Sequence, residues 1–359
     1  MQLNKELKKE NIDTNTFTEY PQSSIKWILD KAIKNRKQII LTGAPGTGKT
    51  YNVRSYVNDQ IKANEERNEF VQFHPSYDYT DFMEGLRPVI LDEATIEEPT
   101  FVKMDGIFKA FCRKVIMNNF KELGEDFPVS FKDFKEKYSQ AESMNKFETK
   151  YFFIIDEINR ADLSKVFGEL MFGLEESYRG IKNSFKTQYK NLRTYEIKAD
   201  GKAHLLSFDC FEDGFFIPKN LYIIGTMNDI DKSVESFDFA LRRRFGWIEI
   251  KANEVVHTSL TEILNNNYPE KINALIDKIK KMNNVISGEE GRKLGLSEAY
   301  HIGHAYFKKI DLDNPLSLKD IFNKSIVPIL KEYTRGRLQS NINDFITKCA
   351  TELEVEYEK

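Results

Sequence analysis

The stretch Gly43-Ala44-Pro45-Gly46-Thr47-Gly48-Lys49-Thr50 constrains this chain more than any other. It has the spacing GxxxxGKT. Before it runs QIILTG, which reads as a short buried strand, and after it KTYNVRSYVNDQIK, which reads as a helix. Glycines at these positions let backbone N–H groups turn inward around phosphate oxygens at a helix N-terminus, where the helix dipole favours an anion. Lys49 can reach the outer phosphates of a nucleotide, and the Thr50 hydroxyl can ligate Mg²⁺. The motif therefore dictates a strand–loop–helix unit as well as a class of ligand.

The other apolar runs agree with that unit. VQFHPS, FFIIDE, LYIIGTMN and FGWIEI read as further strands. The four consecutive apolar residues of FFIIDE suit a strand covered on both faces. Helical segments fall between them, so a layered α/β fold with a mostly parallel sheet is expected. Upstream, SSIKWILDKAIKNRK places Ile25, Ile28, Leu29, Ala32 and Ile33 at helical spacing, with Ser23 or Ser24 as the cap. The highly charged residues 119–150 read as a surface insertion, and 181–214, rich in Lys, Asn and Gly, as a hairpin excursion. From Val255 onward LTEILNNN, INALIDKIKKMNNVI and IFNKSIVPILKEYT read as helices of a smaller C-terminal unit.

Three further features carry chemistry. Asp156 ends a buried strand beside the phosphate loop, where it can hold the Mg²⁺ shell, and Glu157, on the opposite side, can orient or deprotonate a water. Asn228 ends the next strand, within reach of the same water. Arg242, Arg243 and Arg244 then stand in a row, each disfavouring its neighbours. A ring of identical subunits would explain them, because an edge arginine could enter the neighbour's nucleotide site and neutralise charge on the γ-phosphate. Such a finger is worth roughly 10³–10⁵ in rate, more than the screened repulsion of solvated cations costs.

Composition sets the outer bounds. The net charge is −3, so no overall basic field advertises nucleic acid. No run approaches the roughly 18 apolar residues of a membrane helix, and MQLNKELKKENIDTN lacks the apolar core of a secretory signal. Cys112, Cys210 and Cys349 are scattered and odd in number, as expected of free thiols in a reducing cytoplasm. Asp238 with Glu249-Ile250-Lys251 resembles a nuclease pattern but lies in segments already assigned, and reads as chance. His301 and His304 have metal-compatible spacing without a third ligand and read as structural. The aromatic stretch Phe73–Tyr77 suits base stacking and buried packing equally.

On these residues the chain resembles the McrB family, GTP-hydrolysing AAA+ motors of modification-dependent restriction systems. The stretches that carry the resemblance are GAPGTGKT, FHPSYDYTDFMEGLRP, IIDEINRADLSKVFGEL, YIIGTMNDIDKS, FALRRRF and IGHAYF, spanning about residues 25 to 335. The resemblance implies an AAA+ P-loop NTPase core, a parallel sheet flanked by helices, followed by a small helical C-terminal lid domain. The chain then divides into an N-terminal arm (1–22), the α/β domain (23–252, with insertions about 74–105, 119–150 and 181–214) and the lid with its tail (253–359). Gly43, Ala44, Pro45, Gly46, Thr47, Gly48, Lys49, Thr50 and Tyr51 become the nucleotide cradle, with Thr50 and Asp156 on Mg²⁺. Glu157 becomes the Walker B base, Asn228 sensor 1, Asp231 with Lys232 the signature segment, and Arg243 and Arg244 the trans-acting arginines.

The same resemblance implies GTP as the nucleotide, with ATP as the competitor, since no NKxD element argues for guanine. It implies a homo-hexamer, an McrC-like nuclease partner that stimulates hydrolysis, and DNA reached through the ring pore or the partner. His74–Pro88 would face that pore. Two departures stand out. The signature is MNDIDKS rather than MNTADRS, and lysine for arginine loses the planar fork. Only about 40 residues precede the loop, so a form without an N-terminal DNA-reading domain is expected. The alternatives are a MoxR-like AAA+ remodelling chaperone of the same layout and a nucleotide-gated scaffold.

Overall fold

The computed structural model describes residues 20–22, 24–62, 64–90, 100–124, 130–230, 239–265 and 268–358. Among them are nine strands: β1 (Gln38–Gly43), β2 (Asn68–Gln72), β3 (Glu84–Val89), β4 (Thr100–Asp105), β5 (Tyr151–Asp156), β6 (Thr194–Ile197), β7 (Ala203–Leu205), β8 (Leu221–Thr226) and β9 (Gly246–Ile250). The main sheet has the order β2-β5-β8-β1-β9, and every pairing in it is parallel. A parallel sheet must be covered on both faces, and alternate residues of its central strands enter two different cores. On β5, Phe153 and Ile155 join one cluster while Phe152 and Ile154 join the other. Each such fully buried side chain contributes about 1.5–3 kcal/mol.

One face is covered by the helices Ile25–Asn35 and Lys49–Ile61, through Ile25, Leu29, Ile33, Val53, Tyr56 and Val57. Ser24 caps the first of them, accepting from the Trp27 amide at 3.1 Å. The other face is covered by Ile107–Glu122 and Phe131–Ser143. Here the structure departs from the reading of 119–150 as superficial: Phe134 and Tyr138 are fully buried. They lie four residues apart on one stripe of a helix whose remaining surface carries the charge that dominates the composition.

β2 begins and ends earlier than VQFHPS suggests. The ladder continues to Phe73, whose amide donates to the Asp156 carbonyl at 3.0 Å, and Pro75, having no N–H, follows in a turn closed from Tyr77 to His74. Phe73 is buried and stacked on Tyr77 with centroids 4.5 Å apart, so this pair is engaged in packing. A second sheet, β3-β4-β6-β7, is built from the antiparallel hairpins β3–β4 and β6–β7, joined by parallel β4 and β6. The C-terminal helices form a separate cluster in which Pro269–Ser287 packs beside Gln339–Leu353 through Ile276, Ile279, Met282, Ile346 and Cys349. Among the described residues no helix is long and apolar enough to cross a membrane. All three cysteines are free and buried.

Candidate nucleotide site

Strand order brings the site together. β1 lies between β8 and β9, with β5 beyond β8, so the C-terminal ends of β1, β8 and β5 stand side by side. The loop leaves β1 at Gly43 and enters the helix Lys49–Ile61. Gly48 is the N-cap with φ 77°, a left-handed conformation that costs a side-chain-bearing residue roughly 1 kcal/mol or more. Thr47 is buried and closes the loop on itself, its hydroxyl donating to the Ala44 carbonyl at 2.9 Å. Among the described residues, the amides of Gly46, Thr47 and Gly48 donate to no carbonyl. Tyr51, on the first helical turn, is 72% exposed.

Lys49 is buried, and its ammonium donates to the carbonyls of Gly43 (2.8 Å) and Ala44 (3.0 Å) and to Asn228 Oδ1 (3.0 Å). Asn228 in turn donates through Nδ2 to Glu157 Oε1 at 3.1 Å. Lys49, Asn228 and Glu157 therefore form one continuous chain across β1, β8 and β5. Glu157 reaches it because its backbone sits at φ 51°, which breaks the strand direction just past Asp156. Backbone strain of this kind costs about 1–3 kcal/mol and is characteristic of functional sites. Arg160 stands 3.4 Å from Glu157 Oε2. Asp156 Oδ1 accepts from Thr50 Oγ1 at 2.6 Å and from Thr226 Oγ1. A hydroxyl and a carboxylate in contact form an oxygen donor set of the kind Mg²⁺ takes.

The three arginines separate. Arg242 stacks over Trp247 at 5.4 Å, while Trp247 Nε1 donates to the Arg242 carbonyl at 3.1 Å. Arg244 is half-buried and 3.2 Å from Glu175. Arg243 is exposed. Asp231 and Lys232 lie outside the described residues, as does Asp238; Glu249 is exposed on β9.

Sequence reasoning missed Thr226, Arg160 and the contact of the lid with the phosphate loop. Thr226 had a signal, a hydroxyl closing an otherwise apolar strand. The lid contact had none that was local. Gly303 donates from its amide to the Pro45 carbonyl at 3.2 Å, and Ala305 to that of Gly46 at 2.9 Å. A Cβ on Gly303 would stand 2.1 Å from the Gly46 carbonyl carbon, so only glycine permits this approach. His301 and His304 are both buried, and burial holds both imidazoles below the usual range, His304 down to about 4. Among the described residues no cluster of three His, Cys, Asp or Glu forms a metal site.

Residues 38–245 match the family described as AAA domain (dynein-related subfamily). Residues 274–341 match the McrB alpha-helical lid domain. The chain is 35% identical over 321 residues to the Type IV methyl-directed restriction enzyme EcoKMcrB subunit of Escherichia coli, covering 87% of this chain and 57% of that protein. It is 28% identical over 224 residues to the Type II restriction enzyme BsuMI component YdiS of Bacillus subtilis, covering 59% of this chain and 57% of that one. The chain thus spans a little over half the length of both relatives. Domain III of the Thermotoga maritima replication initiation protein DnaA overlays 94% of this chain and 93% of itself at a TM-score of 0.32 and 11% identity, too loose a likeness to carry weight. An AAA core and an McrB lid in one chain, with a phosphate loop at the end of β1 and acidic and polar partners gathered beside it, mean that the chain belongs to the McrB family of AAA+ nucleoside triphosphatases.

Proposed function

We propose that this chain hydrolyses GTP in preference to ATP, as a cytoplasmic homo-hexameric ring, and that the ring drives DNA translocation and cleavage by an McrC-like nuclease partner in modification-dependent, antiviral restriction. The chain itself is the motor and not the nuclease. The observation that carries this reading is the bonded chain Lys49–Asn228–Glu157 beside the Thr50–Asp156 pair. The 35% identity to a methyl-directed restriction enzyme subunit supports the biological setting.

In this reading the amides of Gly46, Thr47 and Gly48 receive phosphate oxygens, and Lys49 exchanges its carbonyl acceptors for them. Thr50 and Asp156 would hold a magnesium ion, which would supply charge neutralisation at the phosphates. Glu157, positioned by Asn228 and Arg160, accepts the proton of the attacking water. Asp231 and Lys232, which follow Asn228 in the sequence, are assigned a catalytic role with it. Arg243, exposed and so able to cross a subunit boundary, stabilises the developing charge in the neighbour's site, and Arg244 supports it from its pairing with Glu175.

The test is phosphate release with Mg²⁺ and equal GTP or ATP, measured over a range of chain concentrations with the partner nuclease subunit present. Turnover per chain should rise with concentration and be faster with GTP. A clear ATP preference overturns the nucleotide assignment, and a rate per chain independent of dilution overturns the shared site.

A further inference from the structure

The 181–214 excursion, which the proposed chemistry does not use, closes one side of a cavity of about 430 Å³ against β4 and the core helix Ile107–Glu122. Lys103 lines it from β4 and is 4% exposed. An ammonium carries three donors and no acceptor. Among the described residues this one makes no hydrogen bond. Its nearest carboxylate, Glu84, is 4.0 Å away and already accepts from Lys109, the Tyr189 amide and the Thr187 side chain. Burial, and after it the repulsion of Lys109, push the Lys103 amine below its usual range. A methionine would occupy the same volume without leaving buried donors unfilled, which is a costly arrangement for a residue that only packs.

The other walls define what could fill them. Arg193 is exposed at the cavity and, among the described residues, has neither a hydrogen-bond acceptor nor a carboxylate partner. Asp209 is taken up by Arg113 at 2.8 Å and by Thr194 at 3.1 Å, and Lys190 and Glu212 offset each other in charge. Two positive charges, one deep and one exposed, are left without a counterion. A phosphate monoester is close to doubly negative near neutral pH and has the oxygens that a lysine and a guanidinium fork both bind. Phe131, Phe208 and Leu192 add an apolar wall, and the volume is that of a small-molecule site. We infer that this cavity binds a small phosphate monoester with an aromatic or apolar body, its phosphate held by Lys103 and Arg193. None of the lining residues belongs to Gly43–Thr50, so the inference does not depend on the nucleotide site or on the ring.

The test is calorimetric titration of phenyl phosphate into the full chain carrying Lys49→Ala, so that the nucleotide loop does not compete. Phenyl phosphate should bind with a dissociation constant below about 1 mM. Benzoate, with one charge fewer, and inorganic phosphate, with no ring, should each bind at least about ten-fold more weakly. Adding Arg193→Ala should weaken phenyl phosphate about ten-fold, the loss of a charge-assisted contact, and Lys103→Met at least as much. No binding of phenyl phosphate at millimolar concentration overturns the inference. Arg193 is exposed and its truncation leaves the core intact, so unchanged affinity in the Arg193→Ala chain places the ligand elsewhere and overturns the inference whatever Lys103→Met does to folding. Benzoate bound as tightly as phenyl phosphate overturns the assignment of a phosphate monoester.

Discussion

Removing the ammonium of Lys109 should destabilise the chain far more than removing its whole ion pair. Glu84, at the start of β3, is fully buried, and its carboxylate accepts from Lys109 Nζ and from the Tyr189 amide at 2.8 Å. Lys103 is the next cation, 4.0 Å away. Burial pushes the Glu84 carboxyl up, but Lys109 outweighs it and leaves the group below its usual range. Lys109→Met keeps the buried stem and deletes the charge, leaving Glu84 with a distant cation, the Tyr189 amide and the Thr187 side chain, while Asp105, 3.3 Å from Lys109, keeps Arg113 at 2.7 Å. Breaking a buried pair from one side costs about 3–5 kcal/mol, a large share of the roughly 5–15 kcal/mol that hold a domain together. Glu84→Gln with Lys109→Met removes both charges and should stay within about 1–2 kcal/mol of wild type. Urea unfolding followed by far-ultraviolet circular dichroism measures the cycle. A Lys109→Met chain within about 1 kcal/mol of wild type, or a double variant as unstable as the sum of the singles, would refute the reasoning. The cluster matters because Glu84, Lys109 and Tyr189 belong to the β3–β4 hairpin, a core helix and the segment leading to β6, so it moors the second sheet to the first.

Glu157→Gln keeps the hydrogen-bond acceptor toward Asn228 while removing the base. It should bind a non-hydrolysable guanosine triphosphate analogue within about three-fold of wild type and lose at least about 10²-fold in phosphate release, and near-normal turnover would remove its catalytic role. Arg243→Ala should be inactive alone, yet mixed rings with Lys49→Ala subunits should recover turnover, because an intact arginine then faces an intact loop. No recovery in rings shown by light scattering to be mixed counts against a trans role. His304 gives a pH dependence. Its folded pKa of about 4 lies below the ordinary 6.5, so between these values the unfolded chain binds the extra proton. This term leaves stability intact above pH 6.5 and erodes it as pH falls toward 4. At pH 5, 1.5 pH units below the unfolded value, it amounts to about 2 kcal/mol. His304→Gln should therefore lose about 2 kcal/mol less than wild type between pH 7.5 and pH 5 in urea titrations without nucleotide, and identical losses would refute the shift.

What could be read in the chain before folding is what acts over a few residues. GxxxxGKT between an apolar run and an amphipathic segment is a local unit, so the strand, loop and helix around Lys49 and Thr50 were legible, as was the Ser24 cap. The runs FFIIDE and LYIIGTMN were legible as buried strands because a parallel sheet covered on both faces asks for apolar residues at every position. The charged segment 131–143 misled because composition counts every residue, whereas burial depends on the one stripe that holds Phe134 and Tyr138.

The rest depended on which strands became neighbours. Asp156, Thr226, Asn228 and Lys49 meet because β8 lies between β5 and β1, an order set by hydrogen bonds between strands distant in the chain. Glu157 turns toward Asn228 through a left-handed backbone that no local preference of glutamate predicts. The three arginines are equivalent as letters and differ only once Trp247 and Glu175 engage two of them. The seating of Gly303 and His304 on the phosphate loop required the lid to fold back onto a core completed long before it in sequence. Periodicity and spacing report what a segment prefers by itself, while convergence at a site is decided by the packing of segments that share no local signal.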